Sequence, residues 1–169
     1  MKSEYIKAFL KLKYITIVGV SRKGEGFGAS IYNHLKDNGY TVFAVNRIGG
    51  FSNNIKLYNS LFQIDKQIDG IITLVPPSET ENLVQAAHDL GIKNVWMQQG
   101  SESINAINFC KEKGINIVYG ECILMFAEPV KSFHSFHRWI NKLVGKYPKM
   151  ESTINCDLHF IFSRPLSIL

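Results

Sequence analysis

Cysteine is scarce in this chain, and what is present does not pair. Cys110, Cys122 and Cys156 are three in number, an odd count with neither CxxC nor Cys/His ligand spacing, so neither a disulfide framework nor a zinc site is indicated. The expected compartment is therefore reducing and cytoplasmic. Long apolar runs are also missing. The longest are strand-sized, far short of the roughly 20 residues needed to cross a bilayer, and the opening MKSEYIKAFLKLK has no signal-peptide core. A soluble, non-exported protein with no membrane partner is the expectation. Low-complexity segments and internal repeats are absent, apart from an alternation of strand and helix signals. Against these absences stand 46% hydrophobic residues in a chain of 169, enough for one core of ordinary domain size. The net charge of +5 suits an anionic ligand and a nucleic-acid surface equally, so charge alone decides nothing.

The alternation reads as successive βαβ units. Tyr14 to Val20 is the first strand, and Phe27, Ile31 and Leu35 form a helical stripe that stops at Asn38-Gly39. Thr41 to Asn46 is the second strand. A turn-rich IGGFSNN and a short piece at Lys56 to Ser60 lead to the strand Gly70 to Val75, which Pro76-Pro77 terminates. Ser78-Glu79-Thr80-Glu81 has the form of a capping box opening a helix through Leu83, Val84, Ala87 and Leu90. Asn94 to Gln98 is the next strand. Ser101 or Ser103 can cap a helix carrying Ile104, Ile107 and Cys110, and Ile115 to Tyr119 is the last strand. Short apolar runs separated by helices predict an α/β fold: a Rossmann-like, doubly wound, mostly parallel sheet of about five strands with helices on both faces. Ligand is expected beyond the carboxyl ends of the strands, where the connecting loops meet.

The most informative loop is the first. In ITIVGVSRKGEGFG, Ile15 to Gly28, a β-branched strand breaks into a segment with four glycines and then turns helical. Glycines allow close approach of the backbone to an anion, and a helix start offers unpaired N–H groups and the positive end of a dipole. Two familiar phosphate motifs fail here. A P-loop needs GxxxxGK[ST], but Glu25-Gly26 follow Gly24 where Lys and Ser/Thr are required. A dinucleotide fingerprint needs GxGxxG, but Val20-Ser21 follow Gly19. NAD also calls for an acidic residue at the end of the second strand, where this chain has Asn46-Arg47. Arginine there suits an extra ribose phosphate, as in NADP or the 3′-phosphorylated ADP of coenzyme A, and it is equally readable as a solvated surface residue.

These pieces together resemble the small coenzyme A-binding proteins of Rossmann-like type, related to the N-terminal domain of the succinyl-CoA synthetase alpha subunit. The likeness is carried by VGVSRKGEGFG, AVN, LVPP, VWMQQG and YGECILM, five segments in order at strand ends between Tyr14 and Met125. Arg47 departs from the family, which commonly has proline after VN. The resemblance implies that Gly19, Ser21, Arg22 and Lys23 face the CoA diphosphate, with Phe27 and Gly28 at the helix start. It implies that Asn46 lies near the adenosine, that Val75, Pro76 and Pro77 wall the adenine, and that Gln98, Gln99 and Gly100 approach the pantetheine or ribose. In the synthetases this domain holds CoA while a phosphorylated histidine in a following domain reacts. That following domain is not represented here, so binding without catalysis is implied.

The histidines give no competing chemistry. None of His34, His88, His134, His137 and His159 falls in a strand-end loop, and His134-x-x-His137 lacks a third metal ligand nearby. Cys122, just past the last strand, has two readings: a small residue packed under its loop, or a thiol able to form a mixed disulfide with CoA. Beyond it, Phe133, Phe136, Ile140 and Leu143 mark an apolar helix face, opposite Lys131, His134, Arg138 and Lys142. The apolar face suits docking on the domain or on a second copy of the chain, making a homodimer. Helix-turn-helix and aromatic stacking signatures are absent, so nucleic acid is not an expected partner. The expected organisation is a CoA-binding domain over 1–125, a helical extension over 126–150 and an unassigned tail over 151–169. The leading expectation is a non-catalytic module that binds CoA or an acyl-CoA. The alternative is an NADP-dependent oxidoreductase or reductase subunit.

Overall fold

The structure is a computed structural model that describes residues 2–127. The helical extension expected up to residue 150 and the tail from 151 lie outside the described residues, apart from Phe126 and Ala127. The chain forms helix α1 (Lys2–Phe9), strand β1 (Tyr14–Val18), helix α2 (Phe27–Asp37), strands β2 (Thr41–Val45), β3 (Gly50–Ser52), β4 (Ile55–Tyr58) and β5 (Gly70–Thr73), helix α3 (Pro77–Asp89), strand β6 (Asn94–Gln98), helix α4 (Ile104–Glu112) and strand β7 (Asn116–Glu121). Short 3-10 turns at Leu61–Gln63 and Ile123–Met125 complete it.

The strands make one sheet in the order β3-β4-β2-β1-β5-β6-β7. All pairings are parallel except the β3–β4 hairpin. Seven strands replace the expected five or so. The difference is the β3–β4 hairpin, whose tight connection holds Asn53 at φ 52°, a conformation that asparagine tolerates better than most residues. The three- and four-residue strands carry too little pattern of their own to be read alone, and pairing with β2 makes them part of the sheet.

Successive residues of each central strand serve opposite faces, because side chains alternate across a strand. Ile17, Ala44, Ile72, Trp96 and Val118 pack in one core with Ile6 and Phe9 of α1 and Ile31 and Leu35 of α2. Val18, Val45, Ile71, Val95, Met97 and Ile117 pack in the other with Val84 and Ala87 of α3 and Ala106, Ile107 and Cys110 of α4. Helices therefore cover both faces, as expected, and the near-continuous apolar runs follow from a sheet buried on both sides. Within α4, the predicted stripe shifts: Ile104 is 68% exposed and Ala106 is buried instead.

The expected capping box is not formed. Pro76 occupies the N-cap of α3 and Pro77 begins the helix, where a missing N–H is harmless. Ser78 thus falls inside the first turn. Glu81 accepts hydrogen bonds from the Ser103 hydroxyl and from Asn105 Nδ2 (3.1 Å), joining α3 to α4.

The register decides where the loops meet. Val18 pairs with Val45 on one side and with Thr73 on the other, and Thr73 pairs with Met97. The carboxyl ends of β1, β2, β5 and β6 are therefore level. The chain leaves β1 for β2 on one side and returns to β5 on the other, which makes the β1/β5 junction the topological switch point of the sheet.

Candidate ligand site

At this junction the β1–α2 loop is held from several directions. The Gly19 and Val20 N–H groups both donate to the Val45 carbonyl (2.9 and 3.3 Å), and Asn46 Nδ2 donates to the Val20 carbonyl (2.8 Å). Ser52 of β3 donates its hydroxyl to the Ser21 carbonyl (2.9 Å), while the Ser21 hydroxyl accepts from the Lys23 N–H (3.2 Å). The unexpected hairpin thus braces the glycine loop.

The glycines divide the work. Gly19 has φ +106°, and a Cβ there would lie 2.7 Å from the Leu74 carbonyl oxygen, so the first turn tolerates no side chain. A Cβ on Gly28 would lie 3.2 Å from Val20 Cα and 3.3 Å from Leu74 Cδ1. That residue lets helix approach strand. Gly26 caps α2 at φ +93° with open space around it. No side chain caps this helix, and its first turn contains no acidic residue. The open backbone position is therefore Gly26, while Gly28 serves internal packing.

Two clefts flank the junction. The narrower, about 420 Å³, is lined by Gly19, Ser21, Glu25, Gly26, Phe27 and Gly28, by Leu74, Val75 and Pro76, and by Gln98 through Ser101. The wider, about 670 Å³, runs from Val45, Asn46, Arg47 and Ile48 past Asn59 to Phe62 and onto the α3 residues Glu79, Asn82, Leu83 and Ala86. They share Gly19, Leu74, Val75 and Pro76. Both fall in the range of about 300–1,000 Å³ usual for small-molecule pockets. A third groove, about 530 Å³, lies at the opposite end of the sheet between Leu10–Lys13, Asn38–Tyr40 and Phe126–Ala127, away from the glycine loop.

Of the residues singled out from sequence, Ser21, Phe27, Gly28, Gln98, Gln99 and Gly100 line the narrow cleft, Asn46 and Arg47 the wide one, and Gly19, Val75 and Pro76 both. Arg22, Lys23, Pro77 and Cys122 line neither. Asn46 also organises the loop itself, since its Oδ1 accepts from the Ile48 N–H (3.0 Å). Gln98 is 3% exposed, and its Oε1 accepts from the Ile123 N–H (3.2 Å), tying the end of β6 to the turn after β7. Cys122 packs against the α1–α2 core. Sequence reasoning missed Leu74 and the far wall of the wide cleft, Leu61 and Phe62 with Glu79, Asn82, Leu83 and Ala86. The apolar stripe of α3 marked Leu83 as inward-facing but could not say what it faces.

The ionisable side chains lining the two clefts, among the described residues, are Glu25, Arg47 and Glu79. No thiol or imidazole joins them. Cys110 lies elsewhere, in the α3–α4 core, where burial pushes its thiol up to about 12. Among the described residues no group of three His, Cys, Asp or Glu side chains could hold a metal ion, and no helix is long and apolar enough to cross a membrane.

A curated relative, the uncharacterized protein YneT of Bacillus subtilis, is 25% identical over 122 residues, spanning 72% of this chain and 90% of its own. A hypothetical protein from Pyrococcus horikoshii superposes with a TM-score of 0.71 at 29% identity, over 77% of this chain and 92% of that one. A conserved hypothetical protein from Pyrococcus furiosus does so with a TM-score of 0.62 at 29% identity, over 66% and 97%. The family described as CoA binding domain matches residues 13–128, from the start of β1 through all the loops that build the two clefts. With its switch-point loop and its sheet both inside that match, the chain belongs to the CoA binding domain family.

Proposed function

We propose that this chain binds coenzyme A or an acyl-CoA in the cytoplasm as a non-catalytic binding or regulatory module. The observation that carries the reading is the continuity of the two clefts across the glycine loop. An extended ligand with a central diphosphate has its two arms accommodated on either side, with the diphosphate over Gly19 and Gly26 at the uncapped start of α2. Backbone N–H groups and the helix dipole favour negative charge there without a lysine. The exposed Gln99 amide on the wall of the narrow cleft, beside the Gln98 that anchors the turn after β7, matches the amides of a pantetheine arm, which both donate and accept hydrogen bonds. Glu25, Arg47 and Glu79 do not form a nucleophile–base pair, which supports binding as the function.

A second reading, an NADP-dependent oxidoreductase or reductase subunit, is favoured by Arg47 on the wide cleft and opposed by the absent GxGxxG register. Calorimetric titration with CoA, acetyl-CoA, NADPH and NADH separates the two. Saturable binding of CoA or acetyl-CoA, with NADPH silent, is expected. NADPH binding with silence toward both CoA species would overturn the reading.

A further inference from the structure

The glycine loop is held a second time at its crown, by a hairpin that lines neither cleft. Between Gly19 and Gly26 the chain runs through Ser21, Arg22 and Lys23, all three exposed. The Ser21 carbonyl accepts from the Ser52 hydroxyl (2.9 Å) and, over a longer distance, from the Gly24 N–H (3.4 Å). Ser52 is 1% exposed, so the fold and not the solvent aims its hydrogen. Next to it Asn53 turns the hairpin, and its side-chain amide fills the space beside Gly24: a Cβ on Gly24 would lie 2.6 Å from Asn53 Cγ. Gly24 also has φ +71°, so both the space and the backbone call for glycine there. The hairpin in turn is rooted in the sheet. β3 is outermost and pairs with β4 alone, β4 joins β2 through Leu57 and Tyr58, and Ile55 and Leu57 are buried in the core with α1 and α2. Residues 50–57 are absent from the walls of both clefts.

Resting on the CoA reading, we propose that the β3–β4 hairpin positions the ligand loop through Ser52 and Asn53, and that ligand in the clefts is registered as added stability of the hairpin. Backbone N–H groups bind an anion well when they are already aimed, since ordering them on binding costs affinity. A crown of exposed residues between glycines has little of its own to hold it. Removing the Ser52 hydrogen bond therefore loosens the loop without touching the ligand. The coupling runs both ways, because a contact that favours binding is favoured by binding to the same extent. Ser52 and Asn53 are thus positioning residues. The hairpin they belong to lies on the outer edge of the sheet, where a regulatory module gains a surface whose order follows occupancy.

The test is calorimetry with CoA on the full chain, beside urea midpoints, for wild type, Ser52→Ala, Asn53→Gly, Gly24→Ala, the Gly24→Ala/Asn53→Gly pair and Asp69→Ala. Asp69 accepts the Lys13 and Tyr14 N–H groups at the other end of the sheet, so its variant loses hydrogen bonds without reaching the loop. Ser52→Ala should weaken CoA on the order of fivefold, the size of one neutral hydrogen bond. Asp69→Ala should lower the midpoint at least as much and leave the affinity within about twofold. Gly24→Ala should weaken CoA on the order of tenfold, and on the order of threefold when Asn53 is already glycine, because the collision is gone and the backbone strain remains. Saturating CoA should slow hydrogen exchange across residues 50–57 in wild type, and less so in Ser52→Ala. Wild-type protein that binds no CoA would remove the CoA reading and the proposal with it. Binding that Ser52→Ala leaves unchanged, or that Asp69→Ala weakens as much, would overturn the role of Ser52 and leave the CoA reading standing. An equal effect of Gly24→Ala in both backgrounds would overturn the role of Asn53. Hairpin exchange indifferent to CoA would overturn the reciprocal coupling.

Discussion

The two ends of the sheet use the same residue types to opposite effect. At the amino ends of the strands, Gly70 is pressed against Leu12 and Phe9: a Cβ there would lie 2.7 Å from Leu12 Cδ1 and 3.0 Å from Phe9 Cε2. Beside it, Asp69 Oδ2 accepts the N–H groups of Lys13 (3.1 Å) and Tyr14 (2.9 Å) and Oδ1 accepts from Gln67 Nε2 (2.7 Å), while Asn94 Nδ2 donates to the Asp69 carbonyl (3.0 Å). At the carboxyl ends, Gly19 is pressed just as hard against Leu74, but the neighbouring Gly26 faces open space at an uncapped helix. Side chains satisfy backbone groups at both ends, as Asn46, Ser52 and Gln98 do at the carboxyl ends. The carboxyl ends in addition leave the start of α2 without a side-chain cap, to be satisfied from outside, which is where binding is expected in an open α/β sheet.

The sharpest way to break that contrast is Gly19→Ala. The new methyl would meet backbone, which cannot swing aside as a side chain can, at a φ of +106° that L-residues rarely adopt. Strain and overpacking together are expected to lower stability by about 3 kcal/mol or more, readable as a shifted urea midpoint, with loss of CoA binding in whatever fraction remains folded. A midpoint within experimental error of wild type would show that Leu74 does not form the floor of the turn.

Gly70→Ala tests the closed end. Here the closest obstructions are the tips of Leu12 and Phe9, which can give some relief, with the Asn94 carbonyl oxygen behind them at 3.2 Å. Phe9 is 2% exposed and packs edge-on to Trp96 with ring centroids 5.4 Å apart, which limits how far it can move. A loss of about 2 kcal/mol is expected, with CoA affinity unchanged because neither cleft is touched. Asp69→Ala should cost somewhat less, about 1–2 kcal/mol, since two backbone donors lose their acceptor but the Lys13 position is exposed and water can reach it. Hydrogen exchange at Tyr14 should accelerate in that variant. If either closed-end substitution weakened CoA binding by tenfold, the ends would not be independent.

Why the open end was legible and its far wall was not follows from the range of the interactions. The glycine run from Gly19 to Gly28, the strand stop at Pro76-Pro77 and the glutamines at the end of β6 announce themselves locally, through turn chemistry and the end of an apolar run. Parallel register then brings them together without further instruction. Phe62 and Ile48 carry no such local sign, because an apolar residue in a loop is indistinguishable in sequence from one that packs. The role of Gly28 was also hidden: spacing marks it as a glycine of the loop, but only the 3.2 Å approach to Val20 shows that it serves helix packing. Ser78-x-x-Glu81 had the right letters for a cap, yet Pro76-Pro77 had already begun the helix and Glu81 found partners on α4.

The smallest expected effect comes from the interior between the ends and is a dependence on pH. Cys110 lies fully buried in the α3–α4 core, where desolvation disfavours its thiolate and raises the thiol to about 12 from an ordinary value near 9. Between these values the unfolded chain releases the proton and the folded chain keeps it. The folded state therefore binds more protons, and stability must fall as pH rises through that window. Tyr32 and Tyr40, also raised by burial, act in the same direction from about pH 10 upward, so the window from pH 8 to 9.5 isolates the thiol. Denaturation midpoints of wild type should decline across that window more steeply than those of Cys110→Ala, and parallel slopes would place Cys110 within reach of water. Because Cys110 touches neither end of the sheet, CoA affinity in the variant should match wild type at pH 7, separating a loss of core stability from a loss of the site.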